Sequence, residues 1–140
     1  MNKTLLDTDI FSEILKGKHV KVISNANDYY KHFNRYTISI ITVVEIIKGF
    51  HKIQREELIQ RFLKAISTVE ILTLNIKSAE LTGRIYADLE RVGQPIGRAD
   101  PMIAAITLEK NLTLATGNLK HYQRIQNVGY PLKLADWKTK

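Results

Sequence analysis

An α/β fold, with a parallel sheet of four to five strands covered by helices on both faces, is what this 140-residue sequence predicts. Three observations carry the prediction. Short β-branched or leucine-rich runs alternate with segments of helical hydrophobic spacing. Residues 102–108 are apolar on every side, as a helix packed deep between neighbours must be. No linker, repeat or low-complexity stretch divides the chain, so one core and a single domain over residues 1–140 are expected.

The elements follow in order. Leu5-Leu6 reads as a short strand stopped by Asp7-Thr8-Asp9, residue types that cap helices. Ile10 to Lys16 then reads as a helix ended by Gly17. Residues 20–34 put Val22, Ile23, Ala26, Tyr29, Tyr30 and Phe33 on one helical face. Thr37 to Ile41 alternates and is β-branched, which predicts a strand. Helical spacing returns at Val43, Ile46, Ile47, Phe50 and Ile53, and again at Leu58, Ile59, Phe62, Leu63 and Ile66. Val69 to Leu74 reads as a strand. A long helix runs from about Asn75 and breaks near Gly93 and Pro95. Asp100-Pro101 fits an N-cap followed by proline at the first helical position, opening the apolar helix. Leu112 to Ala115 and Leu132 to Leu134 read as the last strands, and successive parallel strands require right-handed crossovers.

Composition narrows the function. The chain has no cysteine, which excludes a disulfide framework, a thiolate zinc site and a cysteine nucleophile. No apolar run approaches the roughly 20 residues that span a bilayer, and the N-terminus lacks the pattern of a signal peptide. A cytoplasmic location without membrane association is therefore expected. There are 21 Lys and Arg against 14 Asp and Glu, a net charge of +7. That excess favours an anionic partner such as nucleic acid. From Lys110 to Lys140 six basic residues face one acid, Asp136.

In an open α/β sheet, ligands bind outside the carboxyl ends of the strands. The polar residues at those ends are Asp7, Thr8 and Asp9, then Thr42 and Glu45, then Thr116, Gly117 and Asn118. Asp100 opens the buried helix. Taken singly, Asp7, Asp9 and Asp100 read as caps, and Glu45 as a solvated residue beside Gly49 and Lys52. Together, Asp7, Glu45 and Asp100 come from three segments that a parallel sheet can converge at one end. Like charges held close repel and raise one another's pKa. A cation relieves that repulsion, and oxygen-only ligation selects a hard ion, Mg²⁺ or Mn²⁺. An acidic metal centre within a basic surface is the arrangement a nuclease needs.

The same residues carry a resemblance. Leu5-Leu6-Asp7-Thr8-Asp9, residues 40–49 around Glu45, residues 95–105 around Asp100, residues 115–122 from Ala115 to Tyr122, and Asp136-Trp137 resemble, in order and in spacing, the PIN-domain ribonuclease toxins of the VapC type. The resemblance spans essentially the whole chain. It implies a three-layer PIN-like fold and a Mg²⁺- or Mn²⁺-dependent endoribonuclease, often acting on tRNA. It also implies a cognate antitoxin partner and a homodimer. Asp7, Glu45 and Asp100 match the family's acidic metal-site and catalytic residues; Thr8, Thr116 and Asn118 are the candidate substrate-binding residues. Many members carry a further acid where this chain has His121, which leads us to expect one firmly bound metal.

In the mechanism this implies, Asp7 and Asp100 ligate the metal and Glu45 takes a proton from the attacking water. Lys48, Lys52, Arg98, Lys120 and Arg124 are candidate phosphate contacts. The alternative function is a PIN-like module that binds RNA or protein without cutting. A phosphotransfer receiver domain is disfavoured, because no aspartate follows Leu72 to Leu74.

Overall fold

The computed structural model of the chain describes every residue except Arg98. The first half holds β1 (Thr4–Leu6), α1 (Thr8–Lys16), α2 (Val20–Phe33), β2 (Thr37–Ser39), α3 (Ile40–Lys52) and α4 (Glu56–Ala65). A single 3₁₀ turn, Ile66–Thr68, leads to the second half. That half holds β3 (Glu70–Leu72), α5 (Ile76–Arg91), α6 (Ala99–Glu109), β4 (Thr113–Ala115), α7 (Leu119–Asn127) and β5 (Lys133–Ala135).

Every strand pairing is parallel. Leu6 lies opposite Ala115, and Ala115 opposite Ala135, in the three-stranded sheet β1-β4-β5. Ile38 lies opposite Ile71 in the pair β2-β3. β2 lies beside β1. The chain thus moves outward from β1 to β2 and β3, then returns to the other side of β1 as β4. Such a reversal leaves a crevice at the carboxyl ends of β1 and β4.

Strand alternation sorts the core into two layers. Leu5 and Leu114 pack with Ile85, Leu89, Ile103, Ile106 and Ile125 from α5, α6 and α7. Leu6, Ile38 and Ala115 pack on the other side with residues of α1 to α4, among them Phe11, Tyr29, Ile46 and Phe62. The expected three-layer α/β arrangement is present, and α6 is buried as its all-round apolarity requires.

Local chemistry ends the elements. Asp7 caps α1, and Gly17 closes it in the left-handed region at φ 69°. His19, unassigned by sequence, caps α2: its Nδ1 accepts from Val22 N at 3.3 Å. Asn75 and Ser78 form a reciprocal capping box at the start of α5.

Three readings change. The strand expected over 37–41 ends at Ser39, because the Ser39 hydroxyl accepts from Thr42 N at 3.2 Å and starts α3 at Ile40. That cap outweighs the β preference of Ile40 and Ile41. The apolar helix begins at Ala99, so Asp100 lies inside its first turn rather than at the cap. Pro101 still costs no hydrogen bond there, since first-turn N–H groups have no partner within the helix. Finally, α7 has only Leu119, Tyr122 and Ile125 as an apolar stripe among polar residues, too sparse to read as a helix from sequence.

The carboxyl terminus returns to the core. Trp137 is buried against Tyr29, with ring centroids 5.8 Å apart, and its carbonyl accepts from Asn25 Nδ2 at 3.1 Å. Asp136 Oδ1 accepts from the backbone of Lys138 at 2.9 Å and of Thr139 at 3.1 Å, folding the tail back. Among the described residues, no helix is long and apolar enough to cross a membrane. Trp137→Ala is expected to lower stability by about 3–5 kcal/mol, read as an earlier midpoint in urea unfolding.

Candidate acidic active site

The site begins with Asp7. Its backbone N–H still belongs to the sheet, donating to Ala115 O at 2.9 Å. Its carboxylate, only 3% exposed, turns into the crevice between β1 and β4. Oδ1 accepts from Thr8 N at 2.9 Å, and Oδ2 accepts from the Thr116 hydroxyl at 2.7 Å. Thr116 in turn accepts from Asn118 N at 3.0 Å. The loop between β4 and α7 therefore acts on Asp7 through Thr116, and Asn118 contributes its backbone N–H. The Asn118 side chain makes no cap bond to α7.

Asp100 reaches the same crevice from the first turn of α6. Tyr122 OH donates to its Oδ1 at 3.2 Å, and His121 Nδ1 lies 3.3 Å from its Oδ2. Asp7 lies close enough to act electrostatically on the same phenol. Burial and these two acids hold the Tyr122 hydroxyl well above its ordinary pKa.

Glu45 sits one step away. The Thr8 hydroxyl donates to Glu45 Oε1 at 2.5 Å and lies 2.9 Å from the Thr42 hydroxyl. With one proton to give, Thr8 must accept from Thr42. This chain of hydroxyls joins the carboxyl ends of β1 and β2 and holds Glu45 through Thr8, separate from the Asp7–Asp100 pair. Among the described residues, no three acidic or histidine side chains stand close enough to surround one ion.

Electrostatics mark Asp7. Burial pushes its carboxyl up, Asp9 and Asp100 add to the rise, and the hydrogen bonds from Thr116 and Thr8 oppose it, leaving a pKa of about 7. Half of such groups are ionised near neutrality, and a bound cation would favour the ionised form.

Four residues matter here that sequence reading passed over. Asp9, read as a cap, accepts from Gly117 N at 2.9 Å through Oδ2, which lies 3.4 Å from Lys138 Nζ. Its Oδ1 is buried without a hydrogen-bond partner. Gly117 is packed so closely that a Cβ there would strike the Asp9 carboxylate and the Lys138 side chain. Tyr122 was only part of a motif, and Lys138 lies too far along the chain for any spacing rule to pair it with Asp9.

The candidate phosphate contacts differ among themselves. Lys48, Lys52 and Lys120 are exposed. Arg124 Nη1 instead donates to Pro95 O at 3.0 Å. Arg98 lies outside the described residues. Beside Glu45, a largely apolar groove of about 630 Å³ opens between α1, α3 and α4, lined by Leu15, Ile46, Phe50, Ile53 and Phe62.

Comparison with known proteins places this geometry. The PIN-domain family model matches residues 4–126. The chain belongs to the PIN-domain family. It is 34% identical to a Salmonella typhimurium protein named tRNA(fMet)-specific endonuclease VapC, over 98% of this chain and 99% of the relative. It is 32% identical to Ribonuclease VapC2 of Haemophilus influenzae, over 89% and 93% of the two chains. Among solved structures, a chain of the Rickettsia felis VapBC2 complex bound to a promoter DNA fragment superimposes with a TM-score of 0.80 and 29% identity. That match covers 96% of this chain and 98% of the other.

The raised Asp7 pKa has a signed consequence. Asp7 binds its proton more tightly folded (about 7) than at its ordinary 3.8. Stability from this group is therefore full below about pH 4, falls as pH rises to about 7, and levels off above, by up to about 4 kcal/mol. In EDTA, Asp7→Asn should remove this component, so the variant gains on wild type in thermal melts between pH 4 and 7. Gly117→Ala should push aside the Asp9 carboxylate and the Lys138 side chain and cost no more than about 1 kcal/mol, read in the same melts.

Proposed function

We propose that this chain is a metal-dependent endoribonuclease, the toxin of a toxin–antitoxin pair, hydrolysing phosphodiester bonds in RNA with tRNA as the substrate class. One observation carries the reading. A carboxylate buried at the carboxyl end of β1 is raised to about 7, with the charges of Asp9 and Asp100 near enough to add to the rise. Such a site is costly unless a cation occupies it. The names of the relatives, ribonuclease and tRNA-specific endonuclease, support the substrate class.

The donors fit a hard divalent ion, Mg²⁺ or Mn²⁺. They are all oxygens, Asp7 is short of compensating charge, and the buried Asp9 Oδ1 has no partner. Asp7 and Asp100 would hold the ion directly and Glu45 directly or through water. When bound, it supplies positive charge at the scissile phosphate and lowers the pKa of water.

The chain's own residues do the rest. Thr116 and Thr8 N orient Asp7. Thr8 holds Glu45 through Oε1, leaving Oε2 to accept the proton of the attacking water. Of the candidate substrate-binding residues, Asn118 keeps a free side chain; Thr116, fully buried with its hydroxyl on Asp7, and Thr8, with its hydroxyl on Glu45, position the acids instead. His121, beside Asp100 where many relatives of the resembling type carry an acid, leaves a donor set suited to one firmly held ion.

The solved neighbours include VapBC complexes. An antitoxin whose apolar segment lies in the groove beside Glu45 would cover the site. A single PIN domain over residues 1–140, acting as a homodimer in the cytoplasm, completes the reading.

The test is cleavage of total RNA and of purified tRNA by antitoxin-free protein. Wild type should cut with Mg²⁺ or Mn²⁺ and stop in EDTA. Asp7→Asn and Asp100→Asn should each lose more than about 100-fold, beyond the usual cost of removing a supporting group at a metal site. Folded wild type that leaves both RNAs intact, or cleavage surviving EDTA and both substitutions, overturns the proposal.

A further inference from the structure

We propose that Tyr122 is a positioning residue of the acidic site: its buried hydroxyl donates to the Asp100 carboxylate and sets how that carboxylate faces a bound cation. The inference rests on the metal-site reading above and adds a residue that the reading does not contain.

Three observations support it. Tyr122 is fully buried on α7, its ring packed in the apolar layer with Leu5, Ile103 and Leu114. A phenol in such surroundings needs an acceptor for its proton. That acceptor is Asp100 Oδ1, at 3.2 Å. Asp7 has separate donors in Thr8 N and Thr116. Asp100 is approached by consecutive residues of α7, Tyr122 on Oδ1 and His121 on Oδ2, and of the two Tyr122 is the one held fully buried. Phenylalanine would fill the same space and supply no donor.

Groups that orient metal-binding carboxylates typically change metal affinity by about 10- to 100-fold when removed. In the full-length protein, Tyr122→Phe should therefore raise the Mn²⁺ Kd by about 10- to 100-fold, measured from the EPR signal of free Mn²⁺. Its circular dichroism should remain that of wild type.

Tyr130→Phe is the control. It removes another buried-side phenol–carboxylate bond, Tyr130 OH to Asp88 Oδ2 at 2.5 Å, on the far end of the same helical layer. It should leave the Mn²⁺ Kd unchanged. If wild type binds Mn²⁺ and Tyr122→Phe binds it equally well, or if Tyr130→Phe weakens binding as much, the positioning role is overturned while the metal site stands. If wild type binds no Mn²⁺, or binding persists in both Asp7→Asn and Asp100→Asn, the metal-site reading falls and this inference with it.

Discussion

Burying the carboxylate of Asp7 at the end of the central strand is the constraint on which the rest of the site depends. A buried ionised carboxylate is strongly unfavourable unless donors or a cation compensate it. The fold brings donors from separate parts of the chain: the Thr8 N–H at the start of α1 and the Thr116 hydroxyl at the end of β4. Burial still outweighs them and leaves the group half-ionised near neutrality. The protein thus holds in place a group that gains from a bound cation, and the hydrogen bonds around it restrict which way it can face.

That constraint explains why the crevice lies where the strand order reverses. Between β1 and β4 the residues following two neighbouring parallel strands meet in a crevice, because the connections leave on opposite sides. Asp7 and Thr116 occupy those two positions. Glu45 is brought to the same edge by a different route, through the hydroxyls of Thr8 and Thr42 at the ends of β1 and β2. The tail adds a third connection. Trp137 anchors it on the opposite layer from α7, and Lys138 then reaches Asp9 beside the β4–α7 loop.

Much of this was legible in the residues. The two-layer core follows from strand alternation and helical spacing, and Asp7, Glu45 and Asp100 stood out because each was read at a strand end or helix start; Asp7 and Asp100 lie at such points, whereas Glu45 sits in the second turn of α3. What escaped was of two kinds. The helix carrying Tyr122 and His121 has a thin apolar stripe, since much of it faces solvent and one of its buried residues serves a carboxylate as well as the core. The Asp9–Lys138 pair joins positions near opposite ends of the chain, and no periodicity or motif spacing links them.

By itself, the sequence determined the fold class and the order of the elements apart from α7, and it singled out Asp7, Glu45 and Asp100 as candidates, because these depend on local hydrophobic period and on residue type at element ends. The tertiary structure decided which donors each acid receives, which oxygen of each is already taken, and which is buried deeply enough to hold its proton. Those properties depend on distances between segments and on exclusion of water, and both arise only when the layers close on the sheet.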